Sequence, residues 1–353
     1  MDLIKLKKFY KGKKILITGN TGFKGIWLNL ILLFLGSDVK GFSLKLKKND
    51  NFLFYKLIKK SSKTKTQYGD VLDYNLLNKT IKSFKPEIVF HFAAQSIVIE
   101  SQKDPRTTFE TNVIGTNNII DICKTTKSIK SLIIATSDKC YFNKKAKFFS
   151  EKSKLEGNEA YSSSKANTEL LVNMYLKNLK SLKFGISTVR AGNVVGGGDF
   201  SKYRIIPDII RCSTKKKIIL RNPESVRPWQ HVFDVINAYL IIGLFLYKNK
   251  KRYSGPYNVG PKNKSFLTVK MLTKILLHDL NKNLKIIIKR NKFKESKYLF
   301  LNSKKIINKL KWEPTYNIKQ TLKITSDWYK IYTLRKDLYS FSVNQIKDFF
   351  HYR

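Results

Sequence analysis

Short apolar runs alternate with longer amphipathic segments along the first half of the chain. Five runs have the length and apolar content of buried strands: Lys14–Thr18, Asp38–Leu44, Glu87–Phe92, Ser131–Thr136 and Phe184–Arg190. Apolar residues at helical spacing predict helices over Gly25–Leu35, Leu72–Phe84, Thr108–Thr126 and Tyr161–Leu179. Strands that alternate with helices of about ten or more residues predict an α/β fold with a doubly wound, parallel sheet.

The second half of the chain is less regular. Gly and Pro interrupt it after residue 190, and later helices are predicted over Asp234–Leu246, Thr268–Leu280 and Ile318–Tyr332. We therefore predict a first domain over residues 1–190, with a return segment near residues 228–250, and a smaller C-terminal domain over residues 191–332. Residues 333–353 are predicted to form a tail, in which no motif can be recognised.

A glycine-rich turn follows the first predicted strand and opens the first predicted helix. It contains Gly19, Gly22 and Gly25. Glycines allow a tight turn and let backbone N–H groups approach a pyrophosphate, and the helix N-terminus adds partial positive charge. Strand, turn and helix in this order predict a dinucleotide site, although glycine spacing alone would be weak evidence. The second strand has no acid at its tip to hold the ribose of NAD, the nearest being Asp50, so NAD and NADP both stay open here.

A second group of residues has the chemistry of a catalytic site. Tyr161 and Lys165 are four residues apart, so their side chains share one face of a helix. An ammonium beside a phenol favours the phenolate, which would make Tyr161 a general base. This spacing often occurs by chance, but Ser137, Asp138 and Lys139 follow the strand that ends at residue 136. Ligands bind at the carboxyl ends of parallel strands, so these residues together predict a site.

Composition adds a strong positive charge. The 353 residues include 69 Lys+Arg against 25 Asp+Glu, a formal net charge of +44. Only 10 of the basic residues are Arg, and the Lys are spread along the chain, whereas proteins that read nucleic acids use Arg forks. We interpret the Lys excess as surface background and predict no nucleic-acid partner. The 3 Cys lack metal or disulfide spacing, which favours a reducing, cytoplasmic setting, and no apolar run reaches the ~18 residues of a membrane span.

Several segments resemble the extended short-chain dehydrogenase/reductase family. The glycine turn, Asn112 within Thr111–Thr116, the strand end before Ser137 and the Tyr161–Lys165 pair are similar to the family as a whole. Further segments resemble one branch, the CDP-glucose 4,6-dehydratases: His91–Gln95, Ala135–Tyr141, Arg190–Asp199, Arg204–Asp208 and Arg221–Val232. The resemblance runs from about Phe9 to Tyr332. It implies a Rossmann sheet that binds NAD, with a smaller substrate-binding domain.

The resemblance also implies a reaction. CDP-glucose would be converted to CDP-4-keto-6-deoxyglucose, for deoxysugars of cell-surface polysaccharide. Tyr161, supported by Lys165, would deprotonate the glucose 4-hydroxyl, which Ser137 would hydrogen-bond, while NAD takes the hydride from C4. Asp138 would protonate the leaving 6-hydroxyl and Lys139 would remove the C5 proton, before the hydride returns to C6. An epimerase needs no such acid–base pair, so Asp138 and Lys139 argue for a dehydratase.

Binding residues follow from the same resemblance. The cofactor would be bound by Gly19, Thr21, Gly22, Phe23, Gly25, Asp70, Val71, Phe92, Ala93, Ala94, Asn112, Tyr161 and Lys165. The nucleotide-sugar would be bound by Gln95, Thr136, Asn193, Arg204, Arg221, Arg227 and Tyr298. Arg suits a diphosphate because its fork binds two oxygens, and 4 of the 10 Arg lie in the segments quoted above.

Other expectations and alternatives complete the hypothesis. We predict no metal site, and we interpret His91 and His231 as buried structural residues. The resemblance implies a homodimer through the helices predicted over Thr108–Thr126 and Tyr161–Leu179, and the short apolar runs predict no membrane partner. Four alternatives stay open: another nucleotide-sugar 4,6-dehydratase, an epimerase of the same family, a binding protein that keeps the fold without catalysis and, last, a nucleic-acid-binding protein.

Overall fold

The structure is a computed structural model that describes residues 3–46, 64–142, 148–212, 217–261, 266–289 and 299–351. Its centre is one sheet of seven parallel strands: β1 (Lys14–Thr18), β2 (Asp38–Ser43), β3 (Lys65–Tyr68), β4 (Ile88–His91), β5 (Ser131–Ala135), β7 (Gly185–Ala191) and β12 (Tyr257–Val259). Their order across the sheet is β12-β7-β5-β4-β1-β2-β3. The predicted parallel α/β sheet is therefore confirmed.

Helices cover both faces of this sheet. The α-helices are α1 (Leu3–Tyr10), α2 (Phe23–Phe34), α3 (Tyr74–Phe84), α4 (Val98–Lys103), α5 (Pro105–Phe109), α6 (Gly115–Thr125), α7 (Ala160–Lys177), α8 (Ile205–Arg211), α9 (Val232–Lys248), α10 (Lys250–Tyr253), α11 (Val269–Asp279), α12 (Lys304–Leu310), α13 (Ile318–Thr333) and α14 (Leu338–His351). Side chains alternate along β1: Leu16 packs with α3 and α6, whereas Ile15 and Ile17 pack with α2 and α9.

Among the described residues, four two-stranded sheets lie outside the central sheet. The remaining strands are β6 (Phe148–Phe149), β8 (Val194–Val195), β9 (Lys217–Leu220), β10 (Val226–Pro228), β11 (Gln230–His231), β13 (Phe266–Thr268), β14 (Lys285–Ile288) and β15 (Phe300–Leu301). The pair β10–β13 is antiparallel, and β8–β11, β9–β14 and β6–β15 are parallel. Most of their strands lie after residue 190, in the part of the chain where Gly and Pro predicted less regular secondary structure.

Strands β3 and β12 of the central sheet were not among the predicted elements, and two further segments also differ from the prediction. The helix expected over Thr108–Thr126 is α5, a π-helical segment (Glu110–Ile114) and α6 in succession. The tail, for which no element was predicted, contains helix α14, in which Ile346 and Phe349 are fully buried. Its apolar face packs on α2, where the ring of Phe350 stacks on that of Phe34 with the two centroids 6.4 Å apart. Within the described ranges, no helix is both long and apolar enough to cross a membrane.

Candidate active site

The glycine-rich turn joins β1 to α2 at the carboxyl edge of the sheet. Gly19 has a φ of +72°, and a Cβ on it would lie 2.7 Å from the backbone N of Ala93. A Cβ on Gly25 would lie 2.1 Å from the carbonyl oxygen of Gly19. Only glycine fits these two positions. Helix α2 begins after Gly22 with no side-chain cap among the described residues, so its first N–H groups are available to an anion.

The end of β2 braces the same turn. The Ser43 hydroxyl donates to Asn20 Oδ1 at 2.9 Å, and the backbone N of Thr21 donates to Ser43 Oγ at 3.4 Å. Asn20, Thr21 and Phe23 are all buried. The turn is therefore held in part by a side chain from a neighbouring strand.

The next strand ends carry the other residues that the resemblance assigns to the cofactor. After β3, Asp70 is half-buried and Val71 is buried in the core. After β4, Phe92, Ala93 and Ala94 are half-buried, and the chain there touches the position that a Cβ on Gly19 would take. Turn and strand ends thus form one continuous edge. Its tight glycines and uncapped helix start fit a dinucleotide pyrophosphate.

Tyr161, Ser137 and Lys165 meet at the centre of this edge. Tyr161 and Lys165 are both buried in the first turns of α7, and the Ser137 side chain lies close enough to the Tyr161 phenol to lower its pKa. Lys165 Nζ lies 6.0 Å from the Tyr161 ring centroid and donates to the carbonyl oxygen of Ala135 at 3.3 Å. The helix periodicity and the strand end therefore bring together the residues that the sequence predicted.

The pKa of Tyr161 differs from the sequence-based expectation. Lys165 was expected to lower it, but burial raises it to about 12, with the Ser137 hydrogen bond and Arg204 lowering it and Asp138 raising it. Burial lowers the pKa of Lys165 to about 8. Burial disfavours the charged form of each group, which is the phenolate of Tyr161 and the ammonium of Lys165. Desolvation therefore raises the pKa of Tyr161 and lowers the pKa of Lys165.

Asp138 is the buried carboxyl of the site. It is 5% exposed, it accepts a hydrogen bond from Ser137 Oγ at 3.0 Å, and its Oδ2 has no hydrogen-bond partner among the described residues. Burial raises its pKa above the ordinary value, although Lys139, Ser137 and Arg227 lower it. A Cβ on Gly192 would lie 3.1 Å from Oδ2. A carboxyl that keeps its proton to a higher pH than usual suits a general acid.

Three arginines approach this centre from the second half of the chain. Arg227 is buried and acts on the Asp138 carboxyl. Arg204 donates to Asp199 at 3.1 Å and is about one third exposed, at 37%. Arg221 lies further out, 3.6 Å from Asp208. Two of the three arginines thus act on the reacting groups, whereas Arg221 lies at the rim with a carboxylate partner.

The comparisons with known proteins agree with this geometry. A family profile described as GDP-mannose 4,6 dehydratase matches residues 16–325. The CDP-glucose 4,6-dehydratase of Salmonella typhimurium is 34% identical over 352 residues, covering 97% of this chain and 98% of that enzyme. The chain belongs to the GDP-mannose 4,6-dehydratase family. The resemblance to nucleotide-sugar dehydratases predicted from the sequence is thereby confirmed.

Solved structures share the fold of this family member. A dTDP-glucose 4,6-dehydratase of Streptomyces venezuelae, solved with NAD bound, superimposes with a TM-score of 0.77 at 22% identity, over 92% of this chain and 99% of that one. A UDP-glucose 4-epimerase of Thermotoga maritima, solved with UDP-glucose, gives 0.78 at 22% identity, over 91% of this chain and 99% of that one. The Rossmann fold predicted above is confirmed.

Two residues assigned to substrate have their side chains engaged elsewhere in this 4,6-dehydratase family member. Gln95 Oε1 accepts from the backbone N of Ile97 at 2.5 Å, and its Nε2 donates to Thr108 Oγ1 at 3.0 Å. The Thr136 hydroxyl donates a hydrogen bond to the buried carboxylate of Glu169. Neither side chain therefore faces the Tyr161–Asp138 centre, and their substrate contacts stay a prediction.

Asn112 and Asn193 are placed near the site, and one predicted residue cannot be assessed. The Asn112 amide donates to Ser164 Oγ at 2.9 Å and accepts from the backbone N of Gln95 at 2.8 Å, which fixes α7 to the loop after β4. Asn193 is half-buried and directly follows Gly192, whose added Cβ would contact Asp138. Tyr298 lies outside the described residues.

The sequence analysis missed Lys24, which lies in the glycine turn. Its Nζ is 5.7 Å from the Phe92 ring centroid and 5.8 Å from that of Tyr239. Burial lowers its pKa to about 7, as do Lys165 and Arg204. The position of Lys24 in the sequence could have revealed it, because a residue within the first turn of α2 must lie at the carboxyl edge of the sheet.

The two histidines have structural positions, in agreement with the sequence interpretation. His91 is hydrogen-bonded to Thr18 at 2.7 Å and to Thr116 at 3.0 Å. His231 accepts from the backbone N of Phe233 at the start of α9. Burial lowers the pKa of each to about 3, so both stay neutral at physiological pH.

Proposed function

We propose that this protein dehydrates CDP-glucose to CDP-4-keto-6-deoxyglucose with the aid of NAD. The observation that carries the proposal is the Asp138 carboxyl, buried beside Lys139 and joined through Ser137 to Tyr161. A base for the 4-hydroxyl, an acid and a second base are the groups that oxidation followed by elimination requires. An epimerase of this fold would need no acid–base pair at residues 138 and 139.

Each side chain has a step that fits its environment. Tyr161 takes the proton of the glucose 4-hydroxyl; Ser137 and Arg204 lower its pKa, against the larger effect of burial, which raises it. Asp138, whose pKa burial raises, gives its proton to the leaving 6-hydroxyl, and the half-buried Lys139 takes the C5 proton. NAD held in the glycine cradle would supply hydride acceptance at C4 and hydride return at C6, and the protonated Lys139 then gives its proton back to C5. The glycine cradle and uncapped α2 start support NAD as the cofactor.

The second half of the chain supplies the nucleotide contacts in this proposal. Arg204, Arg221 and Arg227 come from residues 191–332, which supports the proposed division at residue 190. Arg forks bind two phosphate oxygens at once, so these residues suit a diphosphate. CDP as the nucleotide is supported by the 34% identity with the Salmonella enzyme and by the segments that resemble its branch.

A direct assay tests the proposal. Purified protein with NAD and CDP-glucose should give the alkali-induced absorbance of a 4-keto-6-deoxy sugar, and dTDP-, UDP- and GDP-sugars should give far less. Product with another nucleotide but not with CDP would overturn the CDP assignment. Formation of a 4-epimer without loss of water would indicate the epimerase alternative. No turnover of any of these sugars, with binding retained, would favour the binding protein that lacks catalysis.

We also propose that the protein forms a homodimer. Four large apolar side chains are exposed on α5, the π-helical segment and α7: Phe109 at 43%, Ile114 at 45%, Leu170 at 52% and Met174 at 50%. Leu170 and Met174 are four residues apart and so share one face of α7, and exposed apolar side chains of this kind mark an interaction surface. Analytical ultracentrifugation should give a dimer, and the double variant L170E/M174E should give a monomer. A monomer in the unmodified protein would contradict this.

The proposed compartment is the cytoplasm. Cys123, Cys140 and Cys212 are free thiols, and two of them are buried. Free thiols persist in a reducing compartment. Fractionation of the native host would test this assignment, and recovery of the protein outside the cytoplasm would contradict it.

A further inference from the structure

A buried ion pair lies behind the catalytic helix. Arg190 on β7 donates to the Glu169 carboxylate on α7 at 2.7 Å, and the two side chains are 3% and 2% exposed. Thr188 on β7 also donates to this carboxylate, at 2.8 Å, as does Thr136. Glu169 lies one helical turn after Lys165, so Tyr161, Lys165 and Glu169 share one face of α7.

The same pair holds both ends of the segment that carries the acid and base. Thr136 precedes Ser137 and donates to Glu169. Tyr141 follows Cys140, and its hydroxyl accepts from Arg190 at 2.7 Å and donates to Asn258 on β12 at 2.6 Å. The residues between these two anchors are Ser137, Asp138, Lys139 and Cys140. The backbone of the short segment therefore has a fixed point on each side.

We propose that the Glu169–Arg190 pair is a positioning device that fixes residues 137–140 against α7 and thereby sets the rate of the elimination. This inference rests on the proposed function for the identity of the elimination step. Oxidation at C4 uses Tyr161 and Lys165, which α7 carries itself, and only Ser137 from the anchored segment. Loss of water uses Asp138 and Lys139, which both belong to that segment, so loosening the anchors should slow the second step more than the first.

The hydroxyls that flank the segment make the sharpest test. Removing either charge would leave its partner buried and alone, which is strongly destabilising, so we expect variants of Glu169 or Arg190 to fold poorly. Tyr141→Phe and Thr136→Val each remove one anchor and keep the ion pair. Thr188→Val is the matched control, because it removes a bond to the same carboxylate from a residue that does not flank the segment.

A general control for loss of a buried hydroxyl is also present. The Tyr10 hydroxyl is buried and donates to the carbonyl oxygen of Leu240 at 2.7 Å, far from the segment in sequence and on other elements. Tyr10→Phe should reduce stability like Tyr141→Phe and leave the ratio of the two steps unchanged. If Tyr141→Phe alone changes the ratio of the two steps, the change is due to the position of Tyr141 beside the segment.

Cys140 gives a readout that does not need turnover. It is fully buried within the anchored segment, and burial raises the pKa of its thiol well above the ordinary value. Release of the segment exposes the thiol and restores its thiolate fraction, so alkylation should speed up. Cys123, buried on α6, is the internal reference because the segment does not cover it.

The experiment measures iodoacetamide labelling of each cysteine in the full-length protein, and single-turnover formation of NADH and of product from CDP-glucose. Tyr141→Phe and Thr136→Val should label Cys140 about tenfold faster or more, and should slow product formation about tenfold or more, with a much smaller effect on NADH formation. Equal Cys140 labelling in these variants and in both controls would overturn the inference. Faster labelling with an unchanged ratio of steps would overturn the link to elimination. A parent protein that never turns over CDP-glucose would instead overturn the proposed function, and the labelling comparison would still decide whether the pair anchors the segment.

Discussion

Replacing Asp138 by Asn removes the proton donor of the proposed elimination and keeps the size of the side chain. The carboxyl is 5% exposed, and only its Oδ1 has a hydrogen-bond partner among the described residues. General acid catalysis contributes about 10²–10⁴-fold, or about 3–5 kcal/mol of activation free energy. Product formation should fall by about that factor. Oxidation should continue because Tyr161 and Lys165 are intact, so NADH should accumulate.

The same substitution should not destabilise the fold. Burial raises the folded-state pKa of Asp138 above its unfolded value, so the folded protein binds this proton more tightly. That contribution to stability is present below the unfolded pKa of about 3.9 and is lost as pH rises through the folded pKa. At neutral pH the buried wild-type carboxylate therefore lowers the stability of the folded protein, and the uncharged Asn side chain does not. Asp138→Asn should be at least as stable as wild type there, with no advantage at acid pH.

The assay pairs stopped-flow NADH absorbance and alkali-induced product absorbance with thermal unfolding at neutral and acid pH. Asp73→Asn is a matched control, since Asp73 is an exposed cap of α3 and Asn caps helices equally well. It should change neither rate nor stability. Product formation by Asp138→Asn within tenfold of wild type would refute the acid assignment, and a marked fall in its melting temperature at neutral pH would refute the argument from burial.

Three further predictions concern the rest of the site. Tyr161→Phe should form no NADH from CDP-glucose because the base is lost; an NADH burst in stopped flow would contradict this. Gly25→Ala should lose most NAD affinity by calorimetry, since its Cβ would lie 2.1 Å from Gly19 O, whereas Gly22→Ala, with its nearest contact at 3.4 Å, should lose much less; equal losses would contradict the steric argument. Because burial lowers the pKa of Lys165 to about 8, kcat/KM should fall as pH rises through that value, and Lys165→Arg should move this limb upward; an unmoved limb would assign it to another group.

Local patterns predicted the parts of the fold and site that depend on local geometry. The strand Lys14–Thr18 is observed with the predicted bounds, because a short apolar run before a glycine turn leaves few alternatives. Tyr161 and Lys165 share a face because helix periodicity requires it. Ser137 meets them because the carboxyl ends of parallel strands lie on one edge.

The parts that were missed depend on side-chain direction and on distant contacts. Ser137 is in extended backbone, with φ −155° and ψ 154°, so consecutive side chains point to opposite sides. The Thr136 hydroxyl is engaged by Glu169, whereas Ser137 acts on Tyr161, and the sequence pattern does not show this difference. Helix α14 is stabilised by contacts with α2 and α9, such as the Phe349 ring 5.5 Å from that of Phe233, and no local pattern records such a partner.

The few cationic side chains that act on the reacting groups differ from the many surface lysines in their position in the fold. Exposed lysines are screened by salt over roughly 8–10 Å, so their sum says little about the site. Lys24 and Lys165 are different, because burial and mutual repulsion lower the pKa of Lys24 while Asp138 raises it. Cations that repel one another in a part-buried site cost stability in the protein alone. The anionic diphosphate of a nucleotide-sugar would offset that cost, so these few cations, rather than the net charge of +44, fit the proposed substrate.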